Sequence, residues 1–141
     1  MNVQIVATET ELEDCRSIRR RVFIDEQDVP EDLEWDGQDG DAQHLLIRDG
    51  DRPVGTLRIR RIGDTGKLER VAVEADQRGQ GVGDALVLKA LEILRDDPGV
   101  ARAKLGAQTY VIGFYEKFGF TAFGPVFDDA GIPHRDMVLE F

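Results

Sequence analysis

The stretch from Lys67 to Leu86, KLERVAVEADQRGQGVGDAL, decides how the rest of the chain is organised. Leu68 to Val73 is rich in β-formers, and Arg78-Gly79-Gln80-Gly81-Val82-Gly83 follows after a short acidic link. Beyond the glycines, Val82, Leu86 and Lys89-Ala90 through Ile93 recur at helical spacing, with Ala85, Leu88 and Leu91 widening the apolar stripe. The order is strand, glycine loop, helix.

Glycine in a helix costs ~1 kcal/mol relative to alanine, so glycines crowded at a helix start point to a backbone that something approaches closely. Free amides and the positive end of the helix dipole make an anion the natural visitor, and Arg78 adds a full charge beside them. Taken by itself, the loop is explained as well by a tight turn with no ligand. Two other phosphate loops fit poorly. A nucleoside-triphosphatase loop ends in Gly-Lys-Ser/Thr, whereas Gly83 is followed by Asp84-Ala85; a dinucleotide fingerprint would need its third glycine at Asp84 or Leu86.

Val71-Ala72-Val73 followed by Arg-x-x-Gly-x-Gly at Arg78, Gly81 and Gly83 resembles the acyl-CoA signature of the GNAT superfamily of N-acetyltransferases. A second stretch, Gly113-Phe114-Tyr115-Glu116-Lys117-Phe118-Gly119-Phe120, is similar to the Tyr-Glu-Lys-x-Gly-Phe segment after the superfamily's fifth strand. Val22 to Gln27, Gly55 to Arg58 and Gly131 to His134 resemble the small ElaA-like branch. The resemblance implies an α/β fold in one domain over residues 1–141, with a mixed, largely antiparallel sheet flanked by helices and a splayed central strand pair. It also implies acetyl-CoA as co-substrate, with no metal.

Composition bounds the alternatives. A chain of 141 residues suffices for one core without a metal or disulfide staple. The single cysteine, Cys15, shares a helical face with Leu12, Ile18 and Val22 and reads as a small buried residue rather than a nucleophile. No membrane-spanning run or signal-peptide pattern is visible, which makes the cytoplasm the default expectation and a membrane partner unexpected. The 28 acidic residues against 18 basic, a net of −10, disfavour nucleic acid. Such acidity also raises a halophilic source, where salt screens self-repulsion. The acidic run Asp36 to Asp41 lacks the ligand spacing of an EF-hand. A polyphosphate cofactor therefore requires a local positive island, for which Arg78, the loop amides and Lys117 are available.

In chain order, Asn2 to Ala7 reads as a strand; Thr8 or Thr10 caps a helix running to about Phe23; residues 25–41 show little periodicity. Gln43–Arg48 and Pro53–Ile62 read as strands joined at Asp49-Gly50, and the central strand completes an antiparallel meander. Ala101–Ala107 is a strand, Thr109–Phe118 a short helix, Phe120–Phe123 a strand, and His134–Phe141 the closing strand, a possible homodimer edge through Arg135–Phe141.

The resemblance assigns roles. Val71, Ala72 and Val73 would pair with the pantetheine arm, while Arg78, Gly79, Gln80, Gly81, Val82 and Gly83 would hold the phosphates, with Lys117 and Gln108 as further cofactor contacts. Tyr115 matches the family's general acid. Glu69 shares side-chain parity with Val71 and Val73 on a regular strand, which would aim it into the cleft as a base; its alternative is an ion pair, and His44, His134 or a water chain could serve instead. Glu26, Trp35 and Asp36 fall in the region that lies over the family's acceptor pocket. The expected substrate is a primary amine of a small molecule or peptide. A non-catalytic acyl-CoA binder and a nucleotide-phosphate binder of another fold are the competing functions.

Overall fold

A computed structural model describes all 141 residues. Strand β1 (Val3–Ile5) leads into helix α1 (Glu9–Arg19), whose start is fixed by Thr8. The Thr8 hydroxyl accepts from the Glu11 amide at 3.2 Å, and the Glu11 carboxylate accepts from the Thr8 amide at 2.9 Å, a reciprocal capping box. The helix does not stop near Phe23: a π-turned continuation, Arg20–Glu26, carries it further. A single helical turn α2 (Glu31–Glu34) precedes β2 (Gln43–Asp49), β3 (Arg52–Ile62) and β4 (Thr65–Val73), which form the expected meander.

After a short 3-10 turn at Ala75–Gln77 comes helix α3 (Val82–Asp96), then β5 (Arg102–Gln108), α4 (Ile112–Glu116), β6 (Thr121–Asp129) and β7 (Ile132–Glu140). All seven strands join one sheet in the order β1-β2-β3-β4-β5-β7-β6, antiparallel except for the β4–β5 pair.

Helix α3 covers one face of this sheet. Its buried side chains are Val82, Leu86, Val87, Ala90, Leu91 and Leu94, packed on Leu45, Leu57, Leu68, Leu105 and Met137. Leu88, which the sequence placed in this stripe, is 57 % exposed, because the packed arc turns toward Val87 and Leu94 instead. The approach of helix to sheet is close: a Cβ at Gly55 would lie 2.6 Å from Val82 Cγ1. Helix α1 covers the other face through Cys15, Ile18 and Val22 against Leu46 and Ala72. Burial pushes the Cys15 thiol up to about 11, in keeping with a packing role.

Two differences from the sequence reading lie at the C-terminal end. β6 runs well past Phe123, with its register broken between Phe123 and Phe127, and meets β7 through Ala130-Gly131, both at positive φ, as a tight hairpin needs. β7 is therefore paired on both sides, to β5 and β6, so Arg135–Phe141 offers no free edge to a second subunit.

Candidate active site

β4 and β5 are paired only at Thr65↔Arg102, Gly66↔Ala103 and Lys67↔Lys104, and diverge beyond that point. From Leu68 onward the edge of β4 facing β5 has no strand partner, and a cleft of about 1130 Å³ opens between the two strands. The glycine loop lines one side of its mouth, Tyr110, Phe114, Tyr115 and Lys117 another, and the β6–β7 hairpin a third through Phe127, His134 and Asp136.

The glycine loop is built for close approach. Gly81 is the N-cap of α3, at φ 84°, and no side chain caps the helix start. Gly79 also has positive φ, and a Cβ at either position would project into open space. Gly83 differs: a Cβ there would stand 3.2 Å from Phe114 Cζ, so it is small to admit an aromatic ring. Gly79, Gly81, Val82, Gly83, Val71, Ala72, Val73, Gln108 and Lys117 all line the cleft; Gln80 does not, and its amide nitrogen instead lies 3.4 Å from the Asp76 carbonyl.

The positive island expected from Arg78 and Lys117 is largely neutralised. Arg78 donates to the Val73 carbonyl at 3.0 Å and clasps both Glu26 oxygens at 2.6 and 2.7 Å, which lowers the Glu26 pKa. Lys117 reaches Asp84 at 2.9 Å. The neighbouring Gln27 accepts from Gln108 at 2.9 Å, so the end of the π-turned segment straps both edges of the splay. Glu26, expected over the acceptor pocket, here meets the loop arginine.

A bulge decides the fate of Glu69. Arg58 pairs with Glu69 and Thr56 with Ala72, so β4 carries one residue more than β3, and Arg70 sits at φ 53°. The extra residue inverts the alternation. Leu68 packs toward α3 and so do Val71 and Val73, whereas Glu69 lies on the opposite face and does not share their orientation. There it receives Arg60 at 2.6 Å and Arg58 at 3.1 Å. Burial alone would raise its pKa, but Arg60, Arg58 and Lys67 together lower it, which makes a weak proton acceptor of a residue expected to be a base.

Glu69 still lines the cleft, whereas Asp36 and Trp35 lie outside it. Asp36 is tied to Arg58 at 2.8 Å and Arg70 at 3.2 Å. Trp35 has the guanidinium carbons of Arg19 and Arg20 at 5.3 and 5.5 Å from its ring centroid and donates to Glu31. These contacts belong to a buried network in which Arg19 meets Glu34 and Asp39, and Arg58 meets Asp36 and Asp39. Its role is to hold the α1–β2 connection against the sheet. His44 joins it through Nε2 near the Asp39 carbonyl, away from the cleft.

Tyr115 is 7 % exposed, packs edge-on against Phe114 and Phe120, and has its pKa raised by burial. His134 was only one of several bases open to the sequence. Its Nδ1 lies 2.7 Å from the Ile132 carbonyl, which can only accept, so Nδ1 carries a proton and Nε2 is the ring nitrogen left to meet a substrate. The ring stacks on Phe127 at 6.0 Å. The Gly131–His134 stretch carries the family resemblance but assigned His134 no role in the cleft, because the hairpin that positions it is set by the turn at Ala130-Gly131.

The sequence model of the acetyltransferase (GNAT) domain matches residues 6–141. The chain belongs to the GNAT acetyltransferase family. Within that family it is 39% identical over 141 residues to the uncharacterized N-acetyltransferase YjcF of Bacillus subtilis, covering 99% of this chain and 100% of that one. ElaA of Escherichia coli is 35% identical over 127 residues, 87% of this chain and 83% of ElaA. The ElaA crystal structure superposes with a TM-score of 0.89 at 30% identity over 99% of both chains. An acyl-CoA N-acyltransferase from Pseudomonas aeruginosa gives 0.86 at 27% identity over 97% of each. The chain is an acyltransferase of GNAT type, in the ElaA-like branch.

Proposed function

We propose that this GNAT protein is an acetyl-CoA-dependent N-acetyltransferase that passes an acetyl group directly to a primary amine of a small molecule or peptide, both substrates occupying one cleft. The observation that carries this reading is the parting of β4 and β5 after Lys67 and Lys104, which leaves backbone groups of β4 unpaired along a cleft that ends at a bare helix N-terminus. A neighbouring fold is named for acyl-CoA chemistry, and the fit here rests on three features: the free strand edge, the open backbone at Gly79 and Gly81, and the amides of the first turn of α3.

Acetyl-CoA supplies the activated acyl group as a thioester. Val71 and Val73 offer main-chain donors and acceptors to the pantetheine arm, and an amide near Val71 is placed to stabilise developing negative charge on the carbonyl oxygen. The loop amides take the phosphates, with Arg78 joining them when it leaves Glu26. Deprotonating the acceptor is the larger task, since an amine of pKa ~10.4 is neutral in only about one molecule in 2,500 at pH 7, a deficit of ~4.6 kcal/mol. Within the cleft the Nε2 of His134, its Nδ1 being engaged by the Ile132 carbonyl, is the nitrogen left to take that proton. Tyr115, protonated throughout the working range, is the proton donor to the departing thiol.

Release of free thiol from acetyl-CoA, followed with a panel of primary amines, tests the reading. Amine-dependent release supports it, and binding of acetyl-CoA with no release by any amine would make the protein an acyl-CoA binder instead. His134→Gln is expected to lower turnover by about 10²-fold while leaving acetyl-CoA affinity in place; unchanged turnover would return the base role to water.

A further inference from the structure

Three cations stand in one row on the sheet face that carries Glu69 and His134. Arg60 pairs in register with Lys67 across β3 and β4, and Lys67 with Lys104 across β4 and β5. Like charges directly opposed on a sheet are destabilising. Only Glu69 answers them, 2.6 Å from Arg60 and 3.7 Å from Lys67, and it is shared with Arg58. Among the cations lining the cleft, Lys67, Arg70, Arg78 and Lys117 each have a carboxylate within ion-pairing reach, and Lys104 has none. Its ammonium instead lies 5.2 Å from the centroid of the Phe123 ring.

A chain with 28 acidic residues and 18 lysines and arginines had ample means to neutralise this row. It also spends two of its four lysines here, side by side at the closed end of the splay. Arg60 and Lys67 flank a carboxylate already crowded with cations, so the uncompensated charge is concentrated toward Lys104. Ile62 adds apolar surface at this end of the cleft, and Phe127, Asp129 and Asp136 line its hairpin side.

We infer that the part of this row that lines the cleft, Lys67 and above all Lys104, recognises an anionic group on the acceptor, so that the substrate class is amines that also bear a carboxylate or a phosphate. This rests on the transferase reading of the cleft. Lys67 and Val71 are four residues apart on β4, ~13 Å at ~3.3 Å per residue before the bulge shortens it. Lysine side chains span part of that gap. The amine and the anion are therefore separated by a short chain rather than by the single carbon of an α-amino acid.

The test compares 5-aminopentanoate, 4-aminobutyl phosphate, the neutral 5-aminopentanamide and 1,5-diaminopentane, both as acetyl acceptors and as ligands in calorimetry. Wild-type protein and the variants Lys104→Gln and Lys104→Glu are used, with the thermal midpoint and acetyl-CoA affinity of each as folding controls. An anionic amine should exceed the amide in kcat/KM by about tenfold, chiefly through KM. Lys104→Gln should collapse that ratio, and Lys104→Glu should reverse it in favour of the diamine. The better of the two anions identifies the headgroup. Equal use of acid and amide by the wild type, or equal losses for all four amines in Lys104→Gln, overturns the inference. If acetyl-CoA binds and no amine turns over, the transferase reading is what fails, and the calorimetric contrast between 5-aminopentanoate and its amide still decides the cation row: tighter binding of the acid, lost in Lys104→Gln, supports it, and equal binding removes it.

Discussion

At Tyr115 the phenol is enclosed by aromatic rings yet borders the cleft, and burial keeps it protonated. Tyr115→Phe preserves the packing and removes the proton. Turnover should fall by about 10²–10⁴-fold with acetyl-CoA affinity retained, as read by steady-state kinetics beside calorimetry; unaltered turnover would reduce Tyr115 to a packing residue. Gly81→Ala acts on the loop differently. A methyl there meets no protein atom, but the left-handed conformation costs a non-glycine residue ~1–2 kcal/mol and the methyl projects where a phosphate would approach. Weakened acetyl-CoA affinity with a small drop in thermal midpoint is expected, and unchanged affinity would take Gly81 out of the site. The loop was legible in the sequence because its signal is local: spaced glycines, an arginine and a helix start. The orientation of Glu69 was not, since strand parity assumes unbroken alternation and nothing in Leu68-Glu69-Arg70-Val71 marks the bulge that inverts it.

Among elements, α1 packs on the sheet through Cys15, Ile18 and Val22, whereas α2 and the loop after it are held to α1 and the sheet by charge. Arg19 and Arg58 are each 1 % exposed, and Asp39 receives both at 2.8 and 3.0 Å. Desolvation works against the Asp39 carboxylate, yet hydrogen bonds from Arg19, Arg58 and Arg16 hold its pKa at about 2. An unfolded aspartate titrates near ~3.9, so the folded state gains roughly 2–3 kcal/mol from this group. The gain is fully present above the unfolded value and is lost as pH falls toward about 2. Asp39→Asn leaves two buried guanidiniums short of a counter-charge and should cost ~3 kcal/mol at neutral pH. Urea unfolding from pH 7 down to pH 2 should show the variant losing less stability than the wild type below pH ~4; parallel curves would remove Asp39 from the network's energetics. The same network takes in Trp35 and Asp36, which the family resemblance had offered as acceptor contacts. Their position in the chain matches the pocket region, but their partners, Arg19, Arg20, Arg58 and Arg70, come from elements far apart in sequence.

Over the whole molecule, the meander and the glycine-loop helix follow from hydrophobic periodicity and turn chemistry, both short-range signals, whereas the splayed pair was implied only by the family resemblance. The β6–β7 hairpin escaped that reading because β6 is a sheet edge with Phe123, Val126 and Phe127 exposed, so no burial alternation marks it. The hairpin completes the cleft through Phe127 and His134, and with the cation row it supplies the parts of the site to which no motif assigned a role. The strong net negative charge makes the salt dependence of cofactor binding informative, because bulk ions screen exposed arginines more than they weaken backbone amides in the loop. The most direct measurement is calorimetric titration of the protein with acetyl-CoA in low and in molar KCl, with ATP and NAD as controls. Micromolar or tighter binding of acetyl-CoA alone, surviving molar salt, is the predicted result; a folded protein that binds acetyl-CoA at neither salt concentration, or binds ATP as well, would contradict the assignment of this cleft.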